Sequence, residues 1–268
     1  MWIACTRMYD VTTDVRRHWH ALLHIAARHA AVPVECIDHA APAPLTELWA
    51  RDDLALAFMC GFPFATRYPG VRPLAAPLTA SANGDSPSYR SVWLVRETSA
   101  FDTLASTFGH RIGWTAEHSH SGFTAPRHAL LAHRTAARPR LFSASVGPLL
   151  HPRGALAALG DDRVDVTAVD AYWWSLLQRH DGATAARFRP IGATDNAPMP
   201  PLVCAASFPE ASAQRLAAAL AALHEDSDAR LHFDALGVIR FIAVTRGAYA
   251  PLADLDRSAR AAGYPRPA

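Results

Sequence analysis

Leu54-Ala55-Leu56-Ala57-Phe58-Met59-Cys60-Gly61-Phe62-Pro63 decides how the first part of the chain folds. An unbroken apolar run that stops at a glycine reads as a strand buried on both faces and ending in a turn. Two similar runs precede it, at residues 2–6 and 34–37. Between those two, residues 14–30 carry Trp19, Leu22, Leu23 and Ala26 at helical spacing, with Thr12, Thr13 or Asp14 as the cap. Residues 46–52 supply a short helix before the third strand. Strand, helix, strand, helix, strand implies parallel pairing through right-handed crossovers.

Working outward, residues 80–88 are rich in Ser, Asn, Gly, Asp and Pro and read as a loop. Residues 89–95 are extended, 101–104 start a short helix, and 111–114 form a strand that runs into a Ser/His-rich loop. A helix follows from Gly122 to about residue 132. Strands are expected at 141–143 and 164–169, with helices at 152–159 and 171–179. Residues 188–193 are extended, 202–207 form a strand, 210–223 an Ala-rich helix, and short helices close the chain. The middle therefore has its own strand–helix alternation. Two lobes are expected, 1–88 plus 194–268 and an inserted 89–193. The segments 89–95 and 188–193 would carry the chain between them and leave a cleft, into which open α/β sheets aim the loops at the carboxyl ends of their strands.

The composition narrows the function classes. Half of the 268 residues are hydrophobic, enough for two cores. The 26 basic and 24 acidic residues leave a net charge of only +2, with no basic run to hold nucleic acid. No apolar stretch is long enough to cross a bilayer, so no membrane insertion is expected. No secretory leader is visible before Trp2, so the expected compartment is periplasmic if a leader has been removed and cytoplasmic otherwise. Cys5, Cys36, Cys60 and Cys204 are widely spaced and read as free thiols, with one Cys5–Cys36 bridge open between neighbouring strands.

Four segments hold the candidate chemistry. In Glu117-His118-Ser119-His120-Ser121-Gly122 the start of a helix offers unpaired N–H groups, serine hydroxyls add donors, and Gly122 admits a ligand to the backbone. The same serines would equally serve as an ordinary N-cap. Gly61 and Phe62 would shape a pocket wall or simply make a turn around a core aromatic. Tyr89 and Ser91 open a crossing segment, where the phenol would meet a ligand or be buried for structure. Asp170 ends the run Val164-Asp165-Val166-Thr167-Ala168-Val169-Asp170, as a cleft residue or as the cap of the next helix.

Taken in order, these pieces resemble the phosphate/phosphonate-type substrate-binding proteins of ABC transporters. The resemblance rests on Met8-Tyr9, Cys60-Gly61-Phe62-Pro63, Tyr89-Arg90-Ser91-Val92, Ser119-His120-Ser121-Gly122 with Arg127 behind it, and the 164–170 run followed by Trp173-Trp174. It covers about residues 2–240 and implies the α/β, two-lobed type II periplasmic-binding fold, with two mixed, mostly parallel sheets, a cleft and two hinge-crossing strands. It implies that the Ser-x-Ser-Gly loop holds an oxyanion, with contributions from Tyr9, Tyr89 and Asp170. Where many relatives have Gly-Ser-His, this chain has Val146-Gly147-Pro148-Leu149-Leu150-His151, so His151 matches without its serine. Thr115 or Ala116 stands where relatives often have Asn. Other proteins of this fold bind phosphite, sulfur oxyanions or vitamin precursors.

The expected function is capture of a small anionic solute such as phosphate, phosphonate or phosphite, for ABC uptake or sensing. The partners are that solute and an ABC permease, the chain is taken as a monomer, and neither a catalytic residue, a metal nor a cofactor is assigned. Two alternatives stand beside it. One is an enzyme or pyrimidine-type vitamin-precursor binder on the same fold, with His118, His120 and Glu117 or Asp170 offered to a metal. The other is a cytoplasmic ligand sensor without transport.

Overall fold

The computed structural model describes residues 1–82 and 84–268. Asn83, inside the loop read over 80–88, lies outside the described residues. The chain forms two compact α/β units, Met1–Ser88 with Pro198–Tyr249 and Tyr89–Ala197 with Ala250–Ala268. In chain order the elements begin with β1 (Trp2–Cys5), α1 (Thr13–His29), β2 (Val34–Cys36), α2 (Leu45–Trp49), β3 (Leu54–Phe58), α3 (Gly61–Thr66) and β4 (Arg72–Thr79). Next come β5 (Ser88–Tyr89), β6 (Ser91–Arg96), β7 (Arg111–Gly113), α4 (Ala125–Leu130), β8 (Ala144–Val146), α5 (Pro152–Gly160), β9 (Val166–Asp170) and α6 (Ala171–His180). The chain ends with α7 (Gly182–Ala185), β10 (Phe188–Ala193), β11 (Ala197–Pro198), β12 (Leu202–Cys204), α8 (Glu210–Ala222), α9 (Ser227–Leu236), β13 (Val238–Ile242) and α10 (Pro251–Ala261).

The first unit is built on a sheet of order β13-β4-β12-β3-β1-β2. The parallel trio β2-β1-β3 is the one the apolar runs imply. Thr12 caps α1 by accepting from the Val15 N–H at 3.2 Å. The helix buries Trp19, Leu22, Leu23 and Ala26. Trp19 and Tyr9 each meet the Phe58 ring edge-on at 4.9 Å between centroids, which locks α1 and the segment after β1 onto β3. Cys5 and Cys36 lie on the adjacent strands β1 and β2, and all four cysteines are free thiols.

β4 has no counterpart in the sequence reading. Pro73 and Pro77 argue against a central strand because proline has no N–H to give to a ladder. The sheet accommodates them with irregular pairing. The β12–β4 register shifts between Leu202 and Val203, where Val203 faces Pro73, and the β13–β4 register shifts just before Phe241 faces Pro77.

The second unit holds a sheet of order β10-β6-β9-β7-β8. β8, β7 and β9 run parallel, and β6 and β10 run antiparallel beside them. Trp93, Val95, Ile112, Val166 and Ala168 build its core with Leu130, Leu141, Phe142 and Tyr264. Both sheets are mixed. Antiparallel ladders make up at least half of each among the described residues, more than a mostly parallel sheet would show. The strand expected at 141–143 is displaced to β8: Leu141 and Phe142 sit in the core, while the more polar Ala144–Val146 makes the ladder.

The last 19 residues, placed with the first unit by the sequence-derived boundaries, fold in the second. Tyr264 enters that unit's core, the Leu141 N–H donates to the Ala268 carbonyl at 2.9 Å, and α10 supplies Asp256 to Arg127. Arg127 is fully buried; it also donates to the Pro265 carbonyl at 2.8 Å and lies over the Phe123 ring. Replacing Asp256 by Ala would leave a buried guanidinium without its carboxylate. We expect Asp256→Ala to cost about 3–5 kcal/mol in urea unfolding, and the paired change Arg127→Met with Asp256→Leu to cost clearly less.

Candidate functional site

The three parallel strands of the second unit end at one edge of the sheet, and each is followed by a capped helix start. β7 leads through Trp114–Thr115 to Ser119, whose hydroxyl accepts from the Gly122 N–H at 3.0 Å. β8 leads to His151, whose Nδ1 accepts from the Gly154 N–H at 3.1 Å and caps α5. This fixes the tautomer: His151 carries its proton on Nε2. β9 ends at Asp170, whose Oδ1 accepts from the Tyr172 and Trp173 N–H groups at 2.7 and 3.0 Å. Ser119, His151 and Asp170 are thus all N-caps, as the capping readings of the serine and the aspartate have it; for His151 the sequence offered no such reading. β6 starts at the same edge, because Ser91 stands opposite Asp170 in the ladder.

The Ser/His loop is not the start of a regular α-helix. His120–Thr124 forms one π-type turn before α4, with the Thr124 N–H donating to the Ser119 carbonyl at 3.0 Å. Such wide turns are often found at functional sites. Its cause is local. The Thr115 N–H donates to the Gly122 carbonyl at 3.1 Å, and a Cβ on Gly122 would fall 2.0 Å from the Thr115 hydroxyl oxygen. Gly122 is therefore required by its contact with Thr115, whereas the sequence suggested that it left room for a ligand. The loop after β8 is tied to the same place, since the Leu149 and Leu150 N–H groups donate to the Trp114 and Thr115 carbonyls at 3.0 and 2.9 Å.

His120 is buried, with its ring 6.1 Å from that of Tyr89, and burial holds its imidazole down at about 4. The ring is neutral at physiological pH, so it brings no formal charge to the turn. Ser121 is half-buried on the same turn. Glu117 pairs with Arg266 at 2.9 Å, and among the described residues no group of three or more His, Cys, Asp or Glu side chains is placed to hold a metal ion. The buried hydroxyls of Ser91, Thr115 and Thr124 have no hydrogen-bond partner among the described residues. Thr124 went unnoticed in the sequence, and Thr115 was noted only as a departure; a threonine beside a Ser-x-Ser-Gly turn was the available signal.

The second unit thus gathers Tyr89, Ser91, Ser119, His120, Ser121, Gly122, His151 and Asp170 along one sheet edge. Tyr9, Gly61 and Phe62 belong to the first unit. Gly61 opens α3 directly at the carboxyl end of β3, and Phe62 is buried. Tyr9 follows β1 and packs its ring on Phe58 in the core. Nearby, burial raises the Asp10 carboxyl to about 6 despite a 2.6 Å hydrogen bond from the Thr6 hydroxyl.

Two outcomes follow from this geometry. Gly122→Ala should lower the unfolding midpoint, and adding Thr115→Gly should recover part of the loss, because it removes the three atoms nearest the new methyl. For His120, the unfolded chain binds a proton below about pH 6.5 that the folded chain refuses until about pH 4. The neutral ring's contribution is complete above 6.5 and is lost as pH falls towards 4. Between pH 7 and 5 the wild type should lose about 2 kcal/mol more stability than His120→Gln, read by urea unfolding at both pH values.

Comparison with known proteins bears on the family and the fold. A family described as ABC transporter, phosphonate, periplasmic substrate-binding protein matches residues 10–249. No curated protein sequence matches the chain. Among solved structures, the binding protein component of an ABC phosphonate transporter from Pseudomonas aeruginosa aligns with TM-score 0.79 at 15% identity, over 98% of this chain and 88% of that one. PhnD1 from Prochlorococcus marinus, solved with methylphosphonate, aligns with TM-score 0.79 at 14% identity, over 97% and 98% of the two chains. MatC from Rhodopseudomonas palustris, solved with malate, aligns less closely, with TM-score 0.60 at 15% identity over 97% of each. At these identities the likeness speaks to fold, which is that of type II periplasmic binding proteins. The family match covers most of the chain, and the chain belongs to the phosphonate substrate-binding protein family of ABC transporters.

Proposed function

We propose that this protein captures a small phosphorus oxyanion, a phosphonate, phosphate or phosphite, and delivers it to an ABC permease without chemical change. The observation that carries the reading is the convergence of three helix starts on one sheet edge around the π-turn. N–H groups at helix starts carry partial positive charge and suit an oxyanion. Ser121 and the buried hydroxyls of Ser91, Thr115 and Thr124 add neutral donors beside them. Hydrogen bonds from neutral donors to an ionised oxygen are strong without a formal cation. That fits a turn whose histidine is neutral and whose arginine, Arg127, is engaged with Asp256. Asp170 and Tyr89 frame the donors from β9 and β5. Capture before membrane transport places the working protein in the periplasm.

Calorimetric titration with methylphosphonate, 2-aminoethylphosphonate, phosphate and phosphite tests the reading. At least one should bind. Ser121→Ala should weaken that binding by about 1–3 kcal/mol while circular dichroism stays unchanged. Malate and adipate, the ligands of fold relatives from Rhodopseudomonas palustris, belong in the same panel. Binding confined to these dicarboxylates, or unaltered anion binding in Ser121→Ala, would overturn the proposal.

A further inference from the structure

Away from the site, α1 and α9 of the first unit pack against each other and face two histidines across their seam. His18 Nδ1 and His232 Nδ1 are 2.9 Å apart, and both residues are partly exposed. Each follows an aspartate by four residues on its own helix, as Asp14…His18 and Asp228…His232. That spacing puts each pair on one helix face. Asp14 Oδ2 lies 3.6 Å from His18 Nε2, on the far side of the ring from His232. The seam is anchored nearby by His29 with Asp226 at 2.9 Å and by Arg28 with Asp228 at 3.8 Å.

We propose that His18 and His232 form a binding site for a divalent late-transition-metal ion. Two metal–imidazole bonds of about 2.0–2.1 Å meeting at a right angle end about 2.9 Å apart. The two Nδ1 atoms already stand at the separation of neighbouring ligands in an octahedral or square-planar shell. Terminal rotation of an imidazole is soft, so both lone pairs can turn from each other towards a shared ion. Imidazole nitrogen in such a shell suits Cu²⁺ and Ni²⁺, with water filling the other positions. A carboxylate beside the second ring nitrogen orients a ligating histidine, and Asp14 has that place as a positioning residue. In the metal-free protein the two Nδ1 atoms face each other at hydrogen-bond distance, and the ion replaces that link between the helices. The site is independent of the oxyanion site and of its proposed role.

The test is calorimetric titration of tag-free protein with NiCl₂ and with CuCl₂ at neutral pH. One equivalent should bind, and binding should disappear in His18→Ala and in His232→Ala although the other histidines remain. Asp14→Asn should weaken it about tenfold. Metal should also raise the unfolding midpoint of the wild type and leave both alanine variants unmoved. Absence of binding, or equal binding in the alanine variants, would overturn the proposal. If a variant fails to fold, the electron paramagnetic resonance spectrum of Cu²⁺ on the wild type decides. Two equatorial imidazole nitrogens are expected, and a spectrum with one or none contradicts the site.

Discussion

Gly122 lies against Thr115 more closely than any side chain permits, and the edge of the second unit where the helix starts gather depends on that contact. It pulls the loop after β7 down onto the strand's own end, through the hydrogen bond from the Thr115 N–H to the Gly122 carbonyl. The chain must then open into a π-type turn before α4 can begin. The turn places Ser119, His120 and Ser121 at the carboxyl end of β7. Because the Leu149 and Leu150 N–H groups bond to Trp114 and Thr115, the loop leading to His151 is held beside it. One backbone-level contact thus brings two of the three helix starts into register; the third, at Asp170, comes with the β7–β9 ladder.

The electrostatics of this edge are those of dipoles rather than charges. His120 is neutral through burial, and Arg127 is held by Asp256 and the Pro265 carbonyl behind the turn. Arg127 secures the C-terminal segment to α4 and so supports the turn from below. A site of neutral N–H and O–H donors binds an anion by the number and direction of its hydrogen bonds, which selects for oxyanion shape. Ser119, His151 and Asp170 complete helix starts, so the proposed recognition falls chiefly to Ser121, the backbone and the buried hydroxyls.

Much of this was legible in the sequence because it depends on local patterns. Continuous apolar runs gave β1, β3 and β9, helical spacing gave α1 and α6, and 188–193 is β10 as read. β4 was hidden by Pro73 and Pro77, whose cost is met by register shifts against β12 and β13 that no local pattern records. The placement of 250–268 was hidden because it turns on partners far apart in sequence, Arg127 with Asp256 and Tyr264 with the 93–168 core. At the site, residue types and order were readable but roles were not. A serine or aspartate that caps a helix and one that holds a ligand look identical in sequence. The requirement for Gly122 likewise came from Thr115, seven residues earlier.

The most direct test of the central claim is a crystal structure of the protein with methylphosphonate. The account predicts electron density for the phosphonyl oxygens within hydrogen-bond distance of Ser121 and the N–H groups of the 119–124 turn. Density for the ligand elsewhere, with that turn contacting only its own helix, would contradict it.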